Sequence, residues 1–98
     1  MTYLVRLSKK AQKDRKELER SGSKDKVEQI LEELSKDPLS PPSKKLKGEA
    51  SGLYSRRLNI TDRAVFEIGN SSDPKYEGVV TVIRLRTHYK GIVPLFLL

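Results

Sequence analysis

Val27, Ile30, Leu31 and Leu34 fall at i, i+3, i+4 and i+7, the spacing of one helical face. Asp37-Pro38 stops this helix, because a proline disfavours helical backbone at the residue before it. A second helix is predicted over Lys9 to Arg20, capped by Ser8, with Ala11 and Leu18 as its apolar positions and Leu7 at its entry. Ser21-Gly22-Ser23 separates the two: Gly22 suits the left-handed position past a helix end and Ser23 the next N-cap. Alternating apolar positions predict strands elsewhere. Tyr3 to Leu7 is the first, and Leu53 to Ile60 the second, with Tyr54, Arg56, Leu58 and Ile60 on one face. Thr61-Asp62 turns the chain. Arg63 to Ile68 returns with Ala64, Phe66 and Ile68 on one face and Arg63, Val65 and Glu67 on the other, and Val79 to Arg86 is the last strand. Pro38 to Ser43, with three prolines, and Gly69 to Gly78 read as loops. The order strand, helix, helix, loop, three strands implies an α+β fold: two N-terminal helices packed on a small, mainly antiparallel sheet, with residues 1–98 as a single domain.

Composition narrows the function classes. Twenty Lys and Arg against thirteen Asp and Glu leave a formal net charge of +7, which draws polyanions by long-range electrostatics without choosing among RNA, DNA, an acidic membrane surface or an acidic protein. There is no cysteine and one histidine, so disulfides and thiolate metal sites are excluded and a zinc site lacks ligands; no metal and no cofactor are expected. No apolar run is long enough for a membrane span and none has the form of a signal peptide, so the expected location is the cytoplasm. The apolar tail, Ile92 to Leu98, has three uses open to it: completing the core, pairing as an edge strand, or binding a partner.

RNA is cut without a metal when its 2′-hydroxyl attacks the adjacent phosphate and the 5′-oxygen leaves. That chemistry needs a base, an acid, and donors or cations around the phosphate. Such groups gather in three stretches: Lys44, Lys45 and Lys47; Arg56, Arg57 and Arg63; and Arg84, Arg86, His88, Tyr89 and Lys90. Antiparallel pairing can bring all three to one sheet face. Each stretch also has a plainer explanation. Basic runs solvate surfaces, an Arg-Arg pair on a strand often supplies one salt bridge and one exposed side chain, and Tyr89 can cover the core as a strand-end aromatic. Taken alone, the residues describe a basic α+β domain suited to a nucleic acid.

Leu46-Lys47 followed by Ser51-Gly52-Leu53-Tyr54-Ser55-Arg56-Arg57-Leu58 resembles the segment of YoeB/Txe toxins in which Leu-Lys precedes Ser-Gly, an aromatic and Ser-Arg-Arg-Ile. Arg63-Ala64-Val65-Phe66 is similar to that family's Arg-Leu-Val-Tyr, and His88-Tyr89 to its closing pair. The N-terminal strand and helical pair fit the wider RelE/ParE superfamily in length and order. The resemblance implies the toxin of a type II toxin–antitoxin system, a ribosome-dependent endoribonuclease that cuts mRNA in the A site. It also implies a cognate antitoxin that blocks the toxin and, with it, binds operator DNA. By position, Arg63 would stabilise the phosphate, His88 would be the general acid or a phosphate ligand, and Tyr89 would assist the leaving group. Arg56 and Arg57 would give basic support; Lys45, Lys47, Arg84 and Arg86 join them as candidate RNA contacts. One departure from the family bears on the chemistry: its catalytic Glu stands two residues before the Leu, where this chain has Lys44. Lys44 then serves as a base in its neutral form or as charge support, with Glu49 and Glu67 as carboxylates that can substitute. The family usually has His where Asp62 stands, and this chain runs nine residues past Tyr89. Two other functions share these features: a non-enzymatic ParE-like inhibitor of DNA gyrase, and a basic nucleic-acid-binding module.

Overall fold

The computed structural model describes residues 2–40, 43–47, 52–59 and 62–87. The elements in order are β1 (Thr2–Leu7), α1 (Lys9–Arg20), α2 (Lys24–Lys36), β2 (Lys44–Lys45), β3 (Tyr54–Arg57), β4 (Arg63–Gly69) and β5 (Tyr76–Thr87). They form a five-stranded sheet in the order β1-β5-β4-β3-β2. Among the described residues, only β1 and β5 pair in parallel; the other three pairings are antiparallel. Both helices cover one face. There Ala11, Leu18, Val27, Ile30 and Leu34 meet Leu58, Ala64, Phe66, Val80, Val82 and Leu85 in one core. Tyr54 stacks on Phe66, its partner across the β3–β4 ladder, with ring centroids 5.7 Å apart.

The helix ends follow from local chemistry. The Ser8 hydroxyl accepts from the Ala11 N–H at 3.0 Å and donates to the Ile83 carbonyl at 2.6 Å, so one side chain caps α1 and ties it to β5. After α1 the chain closes with Ser23 N–H on the Leu18 carbonyl and Gly22 N–H on the Glu19 carbonyl, around Gly22 at φ 92°. These are the two bonds of a Schellman motif, and its left-handed residue favours glycine. Ser23, expected to cap α2 through its side chain, makes no such bond. Its backbone stands at φ −101°, ψ 18°, away from the extended conformation from which the Ser8 hydroxyl reaches a first-turn N–H.

Three strand boundaries differ from the sequence pattern. Lys44–Lys45, outside every predicted strand, is a two-residue edge strand that pairs with Ser55 and Tyr54. The strand expected to reach Ile60 ends at Arg57; Leu58 and Asn59 both donate to the Asp62 carbonyl in a tight turn, and Ile60 lies outside the described residues. β5 begins at Tyr76, three residues before Val79, because β1 pairs with that stretch: Thr2 opposite Tyr76 and Tyr3 opposite Gly78.

β5 also carries two register shifts against β4. Val80 and Val82 face the helices at strand spacing, yet the next core residue is Leu85, three positions on. An extra residue in one strand has this effect, since each single-residue slip reverses the faces. At Gly78 a Cβ would lie 2.7 Å from the Gly69 carbonyl oxygen and 3.2 Å from the Tyr3 ring. Gly78→Ala is therefore expected to lower stability by about 1–3 kcal/mol, the usual range for forced overpacking, as read from urea unfolding; an unchanged midpoint would show that the β4–β5 ladder can shift.

Candidate RNA-facing site

The helix-free face of the sheet carries the candidate chemistry. Side chains alternate along a strand, so with Ala64 and Phe66 in the core, Arg63 and Val65 point the other way. On β3, Tyr54 and Arg56 face the helices, which leaves Ser55 and Arg57 beside Arg63. The ladder pairs Ser55 with Val65 and Arg57 with Arg63, and on the far side pairs Lys44 with Ser55. Leu46, Leu53, Val65 and Ile83 form a second, smaller apolar cluster. Above it lies a cavity of about 260 Å³ lined by Lys44, Lys45, Leu46, Ser55 and Arg63. A water molecule's share of the liquid is about 30 Å³, so the space accepts a group much larger than solvent. Among its described lining residues there is no carboxylate.

This arrangement suits an oxyanion. Arg57 and Arg63 stand directly opposite each other on adjacent strands, so two guanidinium-bearing side chains share this face. Arg63 is half-buried, while Lys44, Lys45, Lys47 and Arg57 are exposed.

The other arginines lie elsewhere. Arg56, expected to support RNA binding, is only 5% exposed. Its guanidinium donates to Glu33 on α2 at 2.8 Å, to the Ser40 carbonyl at 3.2 Å and to the Ser43 hydroxyl at 3.1 Å. It joins helix, loop and sheet on the helix side, while Arg57 takes the exposed position, which is the division expected of an Arg-Arg pair on a strand. Arg56→Ala is expected to lower stability by about 1–3 kcal/mol, because it removes the buried guanidinium and its three hydrogen bonds but leaves Glu33, which is 39% exposed, to water. Arg57→Ala should stay within about 0.5 kcal/mol of wild type. Urea unfolding of the two variants separates these roles, and equal midpoints would contradict them.

Arg84 and Arg86 turn toward α1. Arg84 Nε donates to Asp14 at 2.9 Å, and Arg86 is ion-paired with Glu17. The three basic stretches therefore do not share one face: Lys44, Arg57 and Arg63 do, whereas Lys45 stands opposite Tyr54 on the edge strand and Arg56, Arg84 and Arg86 hold helices to the sheet. Glu67 is exposed four residues from Arg63 on the same strand, roughly 13 Å away at strand rise. It borders a different cavity, with Leu4, Arg6 and Asp73. Glu49, His88, Tyr89, Lys90 and the apolar tail lie outside the described residues. Among the described residues, no three His, Asp or Glu side chains gather to hold a metal ion, and no helix is long and apolar enough to cross a membrane.

Two residues were missed in the sequence reading. Asp14 is buried on α1, where the apolar count showed only a weak face. Ser55 sits at the floor of the cavity; strand alternation next to Tyr54 was the signal that could have found it.

The model of the YoeB-like toxins of bacterial type II toxin–antitoxin systems matches residues 8–89. No curated protein sequence matches the chain. Among solved structures, a YoeB/ParE toxin from Agrobacterium tumefaciens is similar at TM-score 0.76 and 21% identity, covering 88% of this chain and 99% of that one. The YoeB-YefM complex from Staphylococcus aureus is similar at TM-score 0.67 and 23% identity, covering 89% and 98%. The RelBE2 toxin–antitoxin complex from Mycobacterium tuberculosis is similar at TM-score 0.67 and 27% identity, covering 90% and 100%.

Proposed function

Because the chain belongs to the YoeB-like toxins of bacterial type II toxin–antitoxin systems, we propose that it is a ribosome-dependent, metal-independent endoribonuclease that cuts mRNA in the A site and so stops translation. The observation that carries this reading is the cavity on the helix-free face, lined by Lys44, Lys45, Ser55 and Arg63 without a described carboxylate. In the reaction the 2′-hydroxyl gives up its proton to water as its oxygen attacks phosphorus, the bond to the 5′-oxygen breaks and that oxygen takes up a proton, and a cyclic phosphate and a 5′-hydroxyl result. Negative charge grows on the non-bridging oxygens as the bond forms. Arg63 N–H groups, fixed on a strand with neighbours on both sides, are donors suited to that charge. Lys44 and Lys45, exposed at the cavity, hold the polyanion by charge; Lys44 acts here as a cation in the position where the family has its Glu. Following the resemblance, His88 protonates the leaving oxygen and Tyr89 assists it; both follow directly in sequence on Thr87, which pairs with Arg63.

In the cell, on this reading, the toxin is cytoplasmic and held inactive by a cognate antitoxin, an acidic segment of which complements the +7 charge. Operator DNA is bound only through that complex. The reading is tested by adding the protein to a cell-free translation system and mapping mRNA 5′ ends. New ends in A-site codons that require both ribosomes and toxin support it. Translation stopped with intact mRNA overturns it in favour of a non-enzymatic inhibitor, and Lys44 in place of the Glu is the residue that favours that second reading. Gyrase supercoiling is then the assay to run.

A further inference from the structure

One polar group at the floor of the cavity has no structural use. The Ser55 side chain is buried at 1% exposure, and its hydroxyl has no hydrogen-bond partner among the described residues. A hydroxyl removed from water without a partner opposes folding. Packing does not account for it either. Its cross-strand neighbour on one side is Val65, and Leu46 and Leu53 are in the apolar cluster around Val65, so alanine would suit the site as well. What distinguishes the position is what it faces. Ser55 lines the same cavity as Lys44, Lys45 and Arg63, directly across the ladder from Lys44.

We propose that the Ser55 hydroxyl is a phosphate-binding group, donating a hydrogen bond to one non-bridging oxygen of the scissile phosphodiester. The proposal rests on the ribonuclease reading and deepens it. The cations around the cavity draw the phosphate in but do not fix its rotation. A neutral donor on the floor does so, because it reaches one oxygen and leaves the other to Arg63. Its missing hydrogen bond is completed when RNA binds, and the contact strengthens as charge grows on that oxygen in the transition state. Ser55 forms no covalent bond; the attacking oxygen is the RNA's own.

The test uses ribosomes programmed with synthetic mRNAs whose mapped scissile phosphate is either natural or a single Rp or Sp phosphorothioate. Sulfur accepts hydrogen bonds weakly. With wild-type toxin, one diastereomer should be cut more slowly than the natural phosphate. Ser55→Ala should slow cleavage of the natural substrate by about 3–10-fold, the worth of one neutral hydrogen bond. It should also abolish the additional penalty at that diastereomer, while melting at or above the wild-type temperature. If the variant cuts all three substrates as wild type does, or is slower only because less of it is folded and still discriminates the diastereomers, the proposal fails and the ribonuclease reading stands. If wild-type toxin cuts none of them, both fall.

Discussion

Arg63→Ala is expected to reduce codon-phased mRNA cleavage by about 10²–10³-fold, the usual loss when a donor to developing oxyanion charge is removed. Arg63 opens β4 in the middle of the sheet, paired with Arg57 on one side and Thr87 on the other. Its backbone position is therefore set by two ladders, and its side chain projects on the helix-free face into the cationic cavity. The side chain contributes two things, charge and a planar fork of donors. Arg63→Lys retains the first and loses the second, so its rate should fall between the other two. Single-turnover cleavage on programmed ribosomes is the measurement, with thermal melting of each variant as the control for folding. A folded Arg63→Ala protein that cuts at the wild-type rate would remove Arg63 from the chemistry.

The largest expected effect on stability lies on the opposite face. Asp14 is 6% exposed, and one of its oxygens accepts from Arg84 Nε at 2.9 Å, the Leu85 N–H at 3.1 Å and the Arg86 N–H at 3.2 Å. The need for it follows from strand lengths. β1 pairs with β5 only as far as Leu7 opposite Val82. Beyond that point the β5 backbone groups on that side have lost their partner strand, and α1 satisfies them instead. Ser8 takes the Val82 and Ile83 carbonyls, and Asp14 takes the Leu85 and Arg86 N–H groups. Asp14→Ala leaves a buried backbone donor, a part-buried one and a half-buried guanidinium without their acceptor, at a cost of about 3–5 kcal/mol. Native domains hold only about 5–15 kcal/mol in total. Asp14→Asn retains one acceptor oxygen and should cost less, about 1–3 kcal/mol. Urea denaturation followed by circular dichroism measures both. An Asp14→Ala protein as stable as wild type would mean that water replaces the carboxylate at no cost.

Much of this was legible in the chain. Val27, Ile30 and Leu34 face the core as their spacing required, and the faces of β3 and β4 follow from alternation through Tyr54, Ala64 and Phe66. Local chemistry of this kind depends on a few neighbouring residues, and tertiary packing did not override it. The family also showed itself in the order and spacing of short motifs between Leu46 and Tyr89.

The candidate site was legible only in part. Lys44 and Arg63 could be nominated by residue type, but their sharing one cavity depends on a β2–β3–β4 register that no local pattern carries. Two exposed lysines have no alternation to announce a strand; Lys44 and Lys45 form one because the unpaired side of β3 accepts them. Arg56 and Arg57 are the same residue type, one position apart. The sequence alone determined that they take opposite faces, since that is a property of any strand. Which face meets α2, and hence which arginine is buried beside Glu33 and which is left exposed, was decided by the packing of the helices on the sheet. The same holds for Asp14 and Ser55. Each is one polar residue among many in the sequence. Their partners, or lack of them, come from chain segments far away, because burial and hydrogen-bond satisfaction are properties of the assembled structure.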